Sequence, residues 1–340
     1  MTGPVPVRPA AVLYGDDAVF DRLFDDELLA RLDTLLATGR PRHLTRLDTA
    51  PARARLADAE VLVTGWGCPP VTEADLAAAP RLRAVFHAGG SVKGVLPSGA
   101  WTRDLVVTSG AAANAVPVAE YTLAAILFAG KRVPEYAARQ RDRPGDPGVY
   151  GELPVPGNHR RTVGVVGLSR TGRRLLDLLR PFDLRALVAD PYADPADAAA
   201  YGAELVDLET LLAAADVVTL HAPALPATRH LLDARRLALL PDGATVVNTA
   251  RGSLVDTAAL TRECIGGRLR AVLDVTDPEP LPADSPLHRL PNVLLTPHLA
   301  GAMGGETRRI GELTVDEIGR YVRGEALRHR VHHGDLARIA

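Results

Sequence analysis

The chain has 340 residues, of which 47% are hydrophobic, and its formal net charge is −2. This length suits two domains of ordinary size and supplies enough apolar residues for a buried core in each. A chain so close to neutral lacks the basic surface needed to bind a phosphate backbone, so we expect no nucleic-acid partner.

The cysteines and the N-terminal stretch indicate the kind of compartment in which the protein works. Cys68 and Cys264 stand far apart and form no CxxC pair, which fits a reducing compartment and predicts neither a disulfide framework nor a metal site. The N-terminal stretch has no continuous apolar segment, and we find no run of about 18 apolar residues. The expectation is a soluble cytoplasmic protein with no membrane contact.

Short apolar runs alternate with helical patterns in the first third of the chain. The runs that predict strands are 10–15, 59–65, 82–89 and 104–110, and the patterns that predict helices are 26–39 and 72–80. This alternation is typical of parallel α/β layers. A long helical region begins near Asn114, and a Pro- and Gly-rich segment at 143–161 predicts an irregular surface connection.

The alternation then restarts and continues almost to the end of the chain. Six predicted strands follow one another at 162–167, 184–190, 216–223, 244–250, 269–275 and 292–298. Six strands with a glycine turn after the first are the pattern of a complete doubly wound nucleotide-binding domain. An amphipathic helix is predicted at 306–327.

The glycine turn reads Gly167-Leu168-Ser169-Arg170-Thr171-Gly172, whereas a dinucleotide-binding turn reads G-x-G-x-x-G. Gly167 permits the tight bend and Gly172 permits close packing of helix and strand. Ser169 replaces the middle glycine with a small side chain, whose hydroxyl could itself donate to a phosphate oxygen. A plain strand–helix turn is the alternative.

The carboxylate of Asp190 favours the dinucleotide interpretation. Asp190 ends the next predicted strand, near the spacing of about 20 residues at which an acidic residue binds the ribose hydroxyls. The same carboxylate would repel the 2′-phosphate of NADP. NAD is therefore the expected cofactor.

Three further stretches place reactive residues just after predicted strands, where ligands bind in open α/β sheets. Arg251 follows one strand, and a guanidinium grips carboxylates in a bidentate fork. Asp274 ends the next strand, and Glu279 stands between two prolines. His298 follows the last strand, and histidine is the residue type used most often for acid–base catalysis near neutral pH. Taken singly, each has a structural alternative: a turn arginine, a solvated loop or a core histidine.

The motifs TVGVVGLSRTGR, HAPALPATRHLL, VVNTARGSLVD, LDVTDPEPL and LLTPHLAG occur in the order and spacing of the D-isomer-specific 2-hydroxyacid dehydrogenases. The chain resembles this family over its whole length, most strongly from 160 to 302. The resemblance implies an NAD-dependent enzyme that transfers hydride between the cofactor and a 2-keto or 2-hydroxy acid.

The resemblance also implies a role for each matching residue. Arg251, Glu279 and His298 match the family's catalytic residues, and Arg251 would also hold the substrate carboxylate. The residues that match cofactor-binding positions are Gly167, Ser169, Arg170, Thr171, Gly172, Asp190, Pro223, Thr249, Asp274 and Gly301. Asp274 would lie beside the nicotinamide carboxamide.

By the same resemblance the fold is α/β with two doubly wound lobes, a Rossmann cofactor domain inserted in a flavodoxin-like substrate domain. Residues 1–111 and 304–340 would form the substrate domain and 112–303 the NAD-binding domain. The family commonly forms homodimers, and the 143–161 arm would contribute to that interface. The sequence departs from the family at Ser169 and in the loop FHAGGSVKGV.

That loop leaves the identity of the 2-keto acid open. Gly89, Gly90 and Ser91 still offer backbone N–H groups to a carboxylate, and Trp66 is a candidate wall of the pocket, with packing as the equal alternative. Lys93 stands where an acidic or amide region usually begins.

Three other functions are known for chains that share this pattern. A formate dehydrogenase pairs its histidine with Gln, and Glu279 argues against it. A phosphite dehydrogenase uses a lysine in the pocket loop, and Lys93 stands a few positions late for that role. An NAD-sensing corepressor retains the same three residues, but such regulators usually carry disordered tails.

Overall fold

The computed structural model describes residues 8–149 and 151–339. The strands are β1 Ala11–Tyr14, β2 His43–Leu44, β3 Val61–Gly65, β4 Ala84–Ala88, β5 Val106–Ser109, β6 Arg161–Val166, β7 Leu184–Ala189, β8 Glu204–Leu205, β9 Val217–Leu220, β10 Thr245–Asn248, β11 Arg270–Leu273 and β12 Val293–Leu295. The helices are α1 Asp17–Leu23, α2 Asp26–Leu35, α3 Ala50–Asp58, α4 Glu73–Ala77, α5 Ala111–Lys131, α6 Val133–Asp142, α7 Arg170–Leu179, α8 Pro195–Ala199, α9 Leu208–Ala214, α10 Ala234–Leu237, α11 Thr257–Ile265 and α12 Thr307–Val322.

The chain divides into two compact units. One holds the described residues up to Asn114 together with those from Ala302 onward, and the other runs from Ala115 to Gly301. The sequence had placed these boundaries at 111/112 and 303/304, a few residues away. The long helix α5 begins before the first boundary and continues after it.

The first unit is built on a five-stranded parallel sheet with the order β2-β1-β3-β4-β5. This is the flavodoxin-like order. Both faces of the sheet are covered: one core contains Leu13, Phe20 and Phe86, and the other contains Leu62 and Val85. Burial on both faces explains why these strands read as continuous apolar runs rather than as alternating patterns.

The second unit is built on a seven-stranded parallel sheet with the order β12-β11-β10-β9-β6-β7-β8. Counted from β6, its first six strands have the Rossmann order 3-2-1-4-5-6, and β12 adds a seventh strand at the edge. The predicted α/β class with two doubly wound lobes is confirmed. The chain order reverses between β6 and β9, so a ligand is expected at their carboxyl ends.

Helix starts in this chain follow a simple chemical rule. Nine of the described helices begin after an Asp, Ser or Thr whose side chain accepts a backbone N–H from the first turn: the caps are Asp16, Asp25, Thr49, Thr72, Ser169, Asp194, Asp207, Asp233 and Asp256. These caps satisfy N–H groups that have no partner within the helix.

Among the described helices, α5 is long and apolar enough to cross a membrane by length and composition alone. Its Ala119, Ala125 and Ile126 are buried in the core on one face of the seven-stranded sheet. The helix therefore has a packing role in the second unit.

Candidate active site

The glycine turn between β6 and α7 needs glycine at both ends. Gly167 has a φ of +100°, and a Cβ there would lie 2.8 Å from the backbone nitrogen of Ala222. A Cβ on Gly172 would overlap the carbonyl oxygen of Gly167. The turn thus has the tight bend and the close helix–strand approach of a dinucleotide-binding turn.

Ser169 at the middle position caps helix α7. Its φ of −73° is ordinary for any residue, and its Oγ accepts the N–H of Gly172 at 3.3 Å. The position therefore does not require the freedom of glycine. Arg170 and Thr171 form the first turn of α7, where the helix dipole is positive.

Asp190 follows β7 and lies against the glycine turn. Its Oδ2 accepts the N–H of Leu168 at 2.7 Å, and its Oδ1 accepts the N–H of Tyr192 at 2.9 Å. The upstream Arg185 forms an ion pair with Glu204 at 2.8 Å. The tight turn, the helix start and this carboxylate match the phosphate and ribose groups of a dinucleotide, so the residues present fit NAD.

Arg251 follows β10, and its backbone is held by a residue that the sequence analysis overlooked. Asn248 is buried; its Oδ1 accepts the N–H of Ala250 at 3.1 Å, and its Nδ2 donates to the carbonyl of Arg251 at 2.9 Å. Burial lowers the pKa of the Arg251 guanidinium below its usual value, and the negative charge of Glu279 offsets part of this shift.

Gly252 brings the Arg251 loop against the loop after β11. A Cβ on Gly252 would overlap the backbone carbonyl of Thr276. Glu279 belongs to this second loop, only a few residues beyond Thr276. The glycine after the arginine is thus required by the close approach of two backbones.

His298 and Glu279, which are 19 residues apart in the chain, meet in the structure. The Nδ1 of His298 lies 2.6 Å from Oε1 of Glu279. The side chains are 52% and 43% exposed, so both are accessible from solvent. Since the carboxylate can only accept, we assign a proton to Nδ1, and Nε2 is the nitrogen that can exchange a proton with a substrate.

Asp274 organises the loop that carries His298. This carboxylate, only 2% exposed, accepts the N–H groups of Leu299 at 2.8 Å and Ala300 at 2.9 Å, and the hydroxyl of Thr296 at 2.7 Å. The Asp274 carbonyl also accepts the N–H of His298 at 2.9 Å. Besides its expected place beside the cofactor, Asp274 therefore has a structural function.

The remaining predicted cofactor positions lie at the carboxyl edge of the same sheet. Pro223 follows β9, and its carbonyl accepts the hydroxyl of Thr228 at 2.6 Å. Thr249 follows β10 and is buried, with its hydroxyl 3.0 Å from that of Thr122 on α5. Gly301 directly follows Ala300 in the Asp274-bound loop.

The predicted substrate residues other than Arg251 lie in the first unit, after β3 and β4. Gly89 is enclosed by His87 and Trp66: a Cβ there would overlap the His87 ring and lie 2.9 Å from Trp66 Cδ1. The buried His87, which the sequence analysis did not single out, has its Nδ1 2.9 Å from the hydroxyl of Thr64. The open side of the loop carries Gly90, Ser91 and the exposed Lys93, whose Nζ donates to the carbonyl of Ile339.

These groups indicate which reactions the site can carry out. At one edge of the seven-stranded sheet stand a dinucleotide turn, the half-buried guanidinium of Arg251 and a histidine–carboxylate pair. Such a set can bind an anionic substrate and move a proton beside a bound cofactor. Within the described ranges, no group of three or more His, Cys, Asp or Glu side chains could hold a metal ion.

Comparison with known proteins places this arrangement in a family. The family profile described as D-isomer specific 2-hydroxyacid dehydrogenase, NAD binding domain, matches residues 123–300. A D-3-phosphoglycerate dehydrogenase of Mycobacterium tuberculosis is 36% identical over 260 residues, which are 76% of this chain and 48% of that protein. The chain thus spans about half the length of the curated relatives it matches first.

Two further comparisons cover more of the matched protein. An (S)-sulfolactate dehydrogenase of Chromohalobacter salexigens is 34% identical over 72% of this chain and 79% of that protein. A solved structure from Thermus thermophilus superposes with a TM-score of 0.74 at 31% identity, over 94% of this chain and 99% of that one.

Proposed function

Because the chain belongs to the D-isomer specific 2-hydroxyacid dehydrogenase family and carries its NAD-binding domain, we propose that it interconverts a 2-keto acid and the matching D-2-hydroxy acid with NAD(H). The observation that carries this proposal is the 2.6 Å contact between His298 and Glu279, at the same carboxyl edge of the seven-stranded sheet as Arg251.

The reaction divides between cofactor and protein. The bound nicotinamide supplies the hydride that C2 of the keto acid gains in reduction. His298 Nε2 gives its proton to the keto oxygen as the oxygen becomes a hydroxyl, and it takes that proton back in oxidation. Glu279 orients the ring by accepting the Nδ1 proton.

Arg251 holds the substrate in place. Its planar fork accommodates the carboxylate and directs an N–H toward the keto oxygen, which polarises the carbonyl. The Asn248 bonds fix the backbone from which this side chain extends. The substrate therefore presents its carboxylate to Arg251 and its ketone to His298.

The cofactor is held by the glycine turn and by Asp190. The N-terminus of α7 with Ser169, Arg170 and Thr171 would hold the pyrophosphate, and the Asp190 carboxylate would accept the ribose hydroxyls. Pro223, Thr249, Asp274 and Gly301 would line the nicotinamide end. Because Asp190 would repel a 2′-phosphate, kcat/KM for NADH should exceed that for NADPH by at least about 10-fold.

We keep Trp66, Gly89, Gly90 and Ser91 as proposed substrate contacts. They follow β3 and β4 at the carboxyl edge of their own sheet, where open α/β sheets bind ligands. Relatives act on acids with a phosphate or a sulfonate, so the substrate panel must include both kinds.

The experiment is a panel of 2-keto acids in which NADH consumption is followed by absorbance. It should contain 3-phosphohydroxypyruvate, sulfopyruvate, hydroxypyruvate, glyoxylate and phenylpyruvate, with formate and phosphite tested in the presence of NAD⁺. Saturable turnover of at least one keto acid is expected. NADH binding without any turnover would instead indicate a regulator, and turnover of formate or phosphite alone would indicate those relatives.

We also propose a cytoplasmic homodimer that forms through the second unit. Phe128 on α5 and Val155 in the 143–161 arm are 50% and 43% exposed, and Val155 lines a cavity of about 270 Å³ at the amino ends of β6, β9 and β10. Light scattering should give a dimer mass for the wild type and a monomer for Phe128→Glu, with Phe182→Glu as the control. The unpaired, buried Cys264 suits a reducing compartment.

A further inference from the structure

Two neighbouring residues on α5 reach two different loops of the candidate site. Tyr121 contacts Thr296 in the loop after β12, with 2.7 Å between the oxygens, and Thr122 contacts Thr249 in the loop after β10 at 3.0 Å. Thr296 stands two residues before His298 and Thr249 two before Arg251. Each contact therefore lies next to a residue that we place in the chemistry.

The first contact belongs to a directed chain of hydrogen bonds. The Asp274 carboxylate can only accept, so the Thr296 hydroxyl must donate to it at 2.7 Å. The Tyr121 phenol then donates to Thr296. Asp274 in turn accepts the N–H groups of Leu299 and Ala300, so the chain ends on the backbone that follows His298.

The second contact can be oriented in the same way. The Thr122 hydroxyl donates to the carbonyl of Val118 at 2.7 Å, which uses its only proton. Thr249 therefore donates to Thr122. Both threonines are buried, so this bond is shielded from water and its loss would leave a buried hydroxyl without a partner.

On these contacts, and on the proposed function, we infer that Tyr121 and Thr122 are positioning residues: Tyr121 fixes the His298 loop and Thr122 fixes the Arg251 loop. The loops follow β10 and β12, which flank β11 in the sheet, and Asp274 follows β11. Two adjacent residues of α5 thus form hydrogen bonds to the loops on either side of Asp274. Burial raises the pKa of the Tyr121 phenol, which keeps it a proton donor throughout the working range.

Substitutions at Tyr121 and Thr122 should change different kinetic constants. Tyr121→Phe should lower kcat about 3- to 10-fold, because proton transfer by His298 needs its loop in place, while KM for the keto acid changes less than about 2-fold. Thr122→Val should raise KM for the keto acid by about 3- to 10-fold, because Arg251 holds the carboxylate. Thr122→Ser keeps the hydroxyl and should behave like the wild type.

The matched control is Tyr136→Phe. Tyr136 lies on α6, and its hydroxyl donates to the carbonyl of Leu153 at 3.1 Å, outside the candidate site. This variant also loses a phenol hydrogen bond from a helix, so a purely structural effect would appear in it equally. Its kcat and KM should stay within about 2-fold of the wild type.

Hydrogen exchange provides a readout that does not depend on turnover. Tyr121→Phe should speed amide exchange at Leu299 and Ala300, and Thr122→Val should speed exchange near Ala250 and Arg251, each without affecting the other loop. If Tyr121→Phe does not fold, Thr296→Val tests the same chain, with Thr296→Ser as its control. Exchange and kinetics equal to those of Tyr136→Phe would overturn the inference, whereas a wild type without turnover but with the exchange pattern would overturn only the proposed function.

Discussion

At the scale of single residues, the backbone of His298 is as informative as its ring. His298 has a φ of +56°, in the left-handed region that few residues other than glycine adopt. Its N–H donates to the carbonyls of Asp274 and Thr296, at 2.9 and 3.0 Å. These hydrogen bonds hold the backbone of His298 in an uncommon conformation, which is typical of functional positions.

The first prediction removes the exchangeable proton. His298→Gln should lower kcat by about 10²-fold or more, the usual range for loss of a general acid–base residue. NADH binding, measured by fluorescence titration, should stay within about 2-fold, because His298 lies outside the glycine turn. Turnover within threefold of wild type, by contrast, would leave His298 as a merely structural residue.

The second prediction concerns Ser169. Its hydroxyl oxygen caps α7, and replacing a serine cap with glycine costs only a few tenths of a kcal/mol. We therefore expect Ser169→Gly to bind NADH as well as or better than the wild type, with a barely lowered Tm. If binding weakens by about 0.5–1.5 kcal/mol, the hydroxyl proton holds a phosphate oxygen instead.

Residue types and strand ends made Arg251, Glu279 and His298 candidates in the sequence, and the family resemblance gave each its expected role. The residues that support them were not selected. Tyr121 and Thr296 are 175 positions apart, and nothing in either segment indicates that the two hydroxyls meet. Asn248 shows a weak signal, since a buried amide at the end of an apolar strand must find partners.

At the scale of elements, the parallel strands were predictable because burial on both faces produces apolar runs. The exceptions are β2 and β8, which have two residues each, at or near sheet edges. Neither has an apolar run long enough to indicate a strand. The second sheet consequently has seven strands where the sequence predicted six.

The third prediction tests how two catalytic loops approach each other. Gly252→Ala would place a Cβ against the Thr276 backbone, so the Arg251 loop must shift. We expect a stability loss of about 1–3 kcal/mol and a raised KM for the keto acid. Gly305→Ala is the matched control, because a Cβ there meets nothing within 4 Å. Equal thermal midpoints and KM values for the two variants would contradict the close approach.

At the scale of the whole molecule, each unit contains one buried histidine bonded to a threonine. His87 in the first unit pairs with Thr64, and His221 in the second has its Nε2 3.0 Å from the hydroxyl of Thr219. Burial lowers the pKa of His87 to about 4 and that of His221 to about 3. Both are therefore neutral in the folded protein well below the ordinary histidine pKa.

The fourth prediction follows from that difference. Below pH ~6.5 the two histidines bind protons in the unfolded chain but stay neutral in the folded protein. Their contribution to the free energy of unfolding is therefore complete above pH ~6.5 and decreases as the pH falls. The decrease ends at a pH of about 4 for His87 and about 3 for His221. Between pH ~7.5 and ~5 each histidine should lower the free energy of unfolding by about 2 kcal/mol.

Thermal midpoints measured across this range should fall less steeply in His87→Gln and in His221→Asn than in the wild type, whatever their absolute stability. His332→Gln is the control, because His332 is exposed. Slopes that are the same in all four proteins would mean that neither buried histidine resists protonation.

The central claim, that hydride passes between NADH and C2 of a 2-keto acid at His298, is tested most directly by following deuterium. The keto acid with the highest turnover is reduced with NADH that carries deuterium at both C4 positions, and the product is analysed by mass and by chiral chromatography. The account predicts a D-2-hydroxy acid with a single deuterium on C2, formed at least about 10²-fold more slowly by His298→Gln. A product without deuterium on C2, an L-configured product, or equal rates in the two proteins would contradict it.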